Sequence, residues 1–116
     1  MGVRIRCDKK EILDVRNAIF AFLHERILEI VEEQELELSD NLQDMLEKMD
    51  QNIYGRGCVY VDVADYIKTK RDLEVFTYLV KQGIETDTWV MPAAKGPLER
   101  LWTFHAELLK YGEKLS

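Results

Sequence analysis

Few side chains in this chain have the types and spacing that chemistry requires. Asp62 and Asp65 stand three residues apart beside Tyr60 and Tyr66, at the end of a β-branched run. Paired carboxylates at a strand end can move protons or hold a divalent ion. They can equally cap the next turn, or join the tyrosines in an interface. His24-Glu25 opens like the zinc motif His-Glu-x-x-His, but Leu28 occupies the fifth position. A second imidazole is needed there to share the helix face, so the motif fails. His24 then reads as a surface or partly satisfied histidine, and His105 as a core-edge histidine with a backbone partner. A Cys58–His pair would need a lowered thiol pKa, and no local residue supplies one. Gly55-x-Gly57 precedes a strand and lacks a third glycine, so it reads as a turn. The only serines are Ser39, a helix cap, and Ser116, the last residue, which excludes Ser-His-Asp chemistry. No catalytic set, metal site or cofactor is expected.

The elements that would position these residues follow from periodicity. Val3 to Cys7 alternates as a half-buried strand. Asp8 with Glu11 resembles a capping box, which predicts a first helix from about Asp8 to Glu33. Its stripe is Ile12, Val15, Ile19, Phe22, Leu23, Ile27 and Ile30; Leu13, Phe20, Leu28 and Val31 widen it, which suits a central helix. Ser39-Asp40-Asn41 starts a second helix, with Leu42, Met45, Leu46 and Met49 inward and Asp40, Asp44, Glu47 and Asp50 outward. Cys58 to Val63 is the best strand and should pair with Val3–Cys7. One helical turn follows over Ala64 to Ile67. Thr69 and Asp72 cap a third helix carrying Leu73, Phe76, Leu79, Val80 and Ile84. A loop over Glu85 to Gly96 leads to Pro97 in the first turn of a fourth helix, with Leu98, Leu101, Trp102, His105, Leu108 and Leu109 as its stripe. The expected fold is mainly helical α+β, about four helices with a small two-stranded sheet in the order β-α-α-β-α-α, as one domain over residues 1–116.

Charge is the most uneven property of the chain. Between Glu29 and Asp50 lie nine acids (Glu29, Glu32, Glu33, Glu35, Glu37, Asp40, Asp44, Glu47 and Asp50) and one base, Lys48. That segment carries −9 + 1 = −8, against −6 for the whole chain, so the remainder sums to +2. Such a field attracts a basic partner and repels nucleic acid. The early bases Arg4, Arg6, Lys9, Lys10 and Arg16 and the later Lys68, Lys70 and Arg71 are not interleaved with aromatics as nucleic-acid binders are; they are expected to balance acids within the fold. The longest apolar run, Ala18 to Leu23, is far short of a membrane span, and charges at Arg4, Arg6, Asp8 and Lys9 interrupt any leader-like start. A cytoplasmic location is expected, with Cys7 and Cys58 as reduced thiols. Trp89-Val90-Met91, in the loop before Pro92, either folds back onto the core or supplies an exposed aromatic anchor.

Short length, the absence of a catalytic set, the Glu29–Asp50 acidic stretch and the Asp62/Asp65/Tyr66 group resemble the small acidic immunity proteins of bacterial toxin–immunity pairs. The resemblance implies a protein-binding inhibitor, whose acids and aromatics dock on the active cleft of a cognate basic toxin. The residues it would use are Glu33, Glu37, Asp40, Asp44, Glu47, Asp62, Asp65, Tyr66 and Trp89. A second reading is a homo-oligomeric structural or regulatory subunit, a homodimer covering part of the first helix. A third is a small enzyme using Asp62, Asp65 or His105.

Overall fold

A computed structural model describes residues 2–54, 61–86 and 95–115. Along the chain run β1 (Gly2–Cys7), β2 (Lys10–Arg16), α1 (Asn17–Glu33), α2 (Asp40–Tyr54), β3 (Val61–Asp62), α3 (Val63–Tyr66), α4 (Lys70–Thr86) and α5 (Lys95–Lys114). The fold is mainly helical α+β with a small sheet, as expected, but the described residues form five helices and three strands where about four and two were expected, and their order differs.

The first helix does not begin at Asp8. Asp8 and Lys9 have φ of 54° and 69°, both left-handed. A two-residue hairpin turn of the primed kind requires that geometry. The chain reverses there, and β2 runs antiparallel to β1 with Val3 opposite Val15 and Ile5 opposite Leu13. The register then slips, so that Arg6 faces Glu11 and Ile12 is the extra, bulged residue. The bulge puts Ile12 and Leu13, neighbours in sequence, both into the core. It breaks the alternation and leaves Ile12, Val15 and Ile19 at spacings that imitate a helix.

β1 is the central strand, in the order β2-β1-β3. It pairs in parallel with β3, Ile5 opposite Val61 and Arg6 opposite Asp62, which is the pairing expected from the sequence. The remainder of the expected strand, from Cys58 to Tyr60, and the Gly55-x-Gly57 turn lie outside the described residues.

α1 packs against both α2 and α4, α5 crosses from α4 to β2, and α3 lies against α2 and β1. The central place expected for the first helix holds for the shorter α1. Gly83 permits the α1–α4 contact: a Cβ there would stand 2.7 Å from Leu23 Cδ1. Phe76 and Phe104 meet edge-to-face at 6.2 Å between α4 and α5. The inward residues expected of α2 and α4 are all buried. In α5 the buried line is Leu101, Phe104 and Leu108, while Trp102 and Leu109 point outward. The α5 stripe is therefore rotated relative to the expected one. Among the described residues, no helix is long and apolar enough to cross a membrane.

Candidate interaction site

α1 ends in a backbone motif that aims the acidic connector. Glu35 N–H reaches Glu32 O at 3.2 Å and Leu36 N–H reaches Val31 O at 3.0 Å. This double closure is a Schellman stop, with Glu35 in the left-handed position that glycine usually fills (φ 49°). Leu36 packs beside Val31 on the core, and Glu37 is left exposed. Ser39 then caps α2, its hydroxyl accepting from Leu42 N–H at 3.2 Å and donating to Asp72 of α4 at 3.0 Å. The hairpin of α1 and α2 is thus tied to α4 at its turn.

The acids of the hairpin are not equivalent. Arg26 reaches Glu29 at 3.0 Å and Glu33 at 3.3 Å, so part of the charge is compensated from within α1. Glu37, Asp40, Asp44 and Glu47 are exposed and, among the described residues, form no ion pair. In the early basic cluster, two residues balance acids: Arg4 lies 3.7 Å from Glu11, and Lys10 lies 3.4 Å from Glu107.

Between α1 and α2 lies a groove of about 450 Å³. Its floor is Leu46 with His24, its sides are Leu28 and Leu38, and Gln43, Glu47, Asp50 and Gln51 complete the rim. His24 is 3% exposed and its Nε2 meets the Leu46 carbonyl oxygen at 3.0 Å, while its ring tilts against Phe20. Of the two readings of His24, the surface one is corrected and the partly satisfied one agrees with this single bond. The sequence did contain a sign of it, since Phe20, His24, Ile27 and Val31 follow the a/d spacing of a buried seam. Leu28 is 44% exposed at the groove wall and Phe22 is 51% exposed elsewhere on α1, so neither belongs to the core as the widened stripe implied.

The Asp62 group sits at the β3–α3 junction and does a different job. Asp62 Oδ1 accepts from Asp8 N–H and Ala64 N–H, and Oδ2 from Lys9 N–H, each at 2.9 Å. One carboxylate therefore caps α3 and clamps the β1–β2 turn. Asp65 is exposed, and Tyr66 is half-buried against the core. The nearby Cys7 thiol is buried, and its pKa is pushed up to about 11, first by burial and then by the Asp62 and Asp8 charges. It is a protonated thiol at neutral pH and a poor nucleophile. Cys58, Tyr60 and Trp89 lie outside the described residues.

His105, on α5, is half-buried and edge-on to Trp102 at 5.8 Å. Burial first, and Lys81 next, hold its pKa below the ordinary histidine value. Among the described residues, no group of three His, Cys, Asp or Glu side chains is placed to hold a metal ion. No family model, curated protein or solved structure matches this chain.

Proposed function

We propose that this protein is a protein-binding inhibitor, an immunity protein in kind, that neutralises a cognate basic toxin by docking on its active cleft. The observation that carries the reading is the α1–α2 hairpin: Glu47 and Asp50 rim a groove with leucine walls, and Glu37, Asp40 and Asp44 stand exposed on the same hairpin, without an ion pair among the described residues. Apolar centres ringed by charge are how interfaces combine affinity with partner choice. Glu33 contributes less, because Arg26 already holds it. Asp62 contributes through the fold instead of by contact, and Asp65 with Tyr66 forms a smaller flank beside α2.

The test is a pull-down from source lysate at about 0.05 M and about 0.5 M salt, spanning strong and weak screening. A basic protein retained at low salt, released at high salt, and inhibited stoichiometrically by this chain is the expected result. Reversing charge at Glu37, Asp44 and Glu47 together should slow association with that partner by about tenfold or more, with helicity unchanged. Capture without inhibition would leave a binding module and remove the inhibitor reading.

Exposed apolar side chains on α5 favour a second reading, a homo-oligomeric subunit. Leu109 is 52% exposed and Trp102 37% exposed on one helix. Sedimentation across a concentration range separates this reading from the first. The enzyme reading gains no support from the geometry, because three backbone N–H groups already occupy the Asp62 carboxylate.

A further inference from the structure

We infer that the groove between α1 and α2 seats one short, basic, amphipathic helix of the partner, with its apolar side chains in the groove and its lysines or arginines against Glu47 and Asp50. This rests on the reading of the chain as a binder of a basic protein, and it names the part of that partner that is held.

Size comes first. A cavity of about 150 Å³ holds one benzene-sized group. At about 450 Å³, the groove accepts roughly three, the number of apolar anchors that a helix presents over two turns. The chemistry of the walls decides the rest. The groove lies between two helices, whose backbone N–H and C=O groups bond within their own ladders. Among the described residues no free strand edge lines it, so an extended peptide has nothing there to pair with, whereas a helix brings its own hydrogen bonds. The one polar side chain on the floor, His24, already has the Leu46 carbonyl at 3.0 Å. The floor therefore asks for apolar contact. Leu28 loses its exposed surface only when something apolar covers it. The rim chooses the sign of charge: Glu47 and Asp50 stand on a segment of net −8, which repels an anionic lipid surface and an acidic peptide alike.

The experiment titrates the full chain with three fluorescein-labelled synthetic peptides. One is an amphipathic leucine–lysine helix, one its scrambled isomer, and one an oligolysine of equal charge. Wild type is compared with Leu28→Ser and with Glu47→Lys/Asp50→Lys, each checked for native helicity by circular dichroism. The expected result is binding of the amphipathic peptide about tenfold or more tighter than the scramble, the worth of burying one or two leucines. Leu28→Ser should erase that margin, and the double charge reversal should weaken all three peptides. If oligolysine binds in a salt-sensitive way and the amphipathic peptide has no advantage, the groove inference is overturned while the basic-partner reading stands. If no peptide binds even at low salt, both fall. If the free protein is a dimer that Leu28→Ser converts to monomer, the groove belongs to a second copy, and the inference is overturned.

Discussion

The Asp62 carboxylate joins three places that are far apart in the chain or differ in structure: the turn at Asp8 and Lys9, the end of β3 and the start of α3. Hydrogen bonds to a charged acceptor contribute about 1.5–3 kcal/mol each, less where exposed as the two turn bonds are, and they are not additive. Asp62→Ala is expected to lower unfolding stability by about 2–4 kcal/mol in urea melts, with Asp62→Asn falling in between. A loss below about 0.5 kcal/mol, the level of an ordinary surface change, would mean that the turn holds itself. His105 offers a pH test. Its folded pKa lies below the ordinary histidine value of 6.5, so the folded state disfavours the proton. The unfolded chain binds that proton more readily, so stability is fully present above about pH 6.5 and declines as the pH falls through the folded value. Replacing His105 with Gln should flatten this part of the melting-temperature profile, which thermal melts from pH 7.5 down to about 5 would reveal.

At the scale of elements, the β1–β2 hairpin is the feature that periodicity concealed. Asp8-Lys9 is a poor advertisement for a primed turn, since lysine is no turn former and only the aspartate tolerates positive φ readily. The start of α1 was hidden as well. Arg16 stands at its N-cap with no side-chain hydrogen bond, where Ser, Thr, Asp or Asn would announce a helix. By contrast, α2 and α4 were legible because Ser39 and Thr69 cap them with bonds of 3.2 Å to Leu42 and Asp72. The hairpin predicts an effect of opposite sign from a helix. Lys9→Gly should stabilise the protein by about 0.5–1 kcal/mol, because glycine adopts φ near 69° without a Cβ clash. Glycine inside a continuous helix would instead cost about 1 kcal/mol. Denaturant midpoints for Lys9→Gly and Lys9→Ala decide between them.

Across the whole molecule, charge and apolar exposure coincide on the α1–α2 hairpin. Arg26 neutralises two of its acids from the α4 side of α1, where it also bonds Thr86 at 2.9 Å, while the acids at the groove rim have no ion pair among the described residues. A field of this kind acts mainly before contact. In the proposed complex, the association rate should therefore fall steeply with salt while the dissociation rate changes little. Stopped-flow measurement of both rates with the captured partner checks this. A salt effect confined to dissociation would place the acids outside the encounter surface.

The sequence by itself determined the helical α+β class, the amphipathic faces of α2 and α4, the strand character of β1 and the acidic hairpin. Each of these is written in neighbours a few residues apart, where caps and periodic stripes act locally. Tertiary structure alone decided the burial of His24, the clamp made by Asp62, the rotation of the α5 stripe and the existence of the groove. The Asp62 bonds to Asp8 and Lys9 join residues 54 and 53 positions apart, and the His24–Leu46 bond spans 22. No local spacing encodes such contacts, because they depend on how the helices and the hairpin settle against one another. A carboxylate placed like a catalytic group became a turn clamp for that reason, and Leu28, which read as core, became a wall of an open groove.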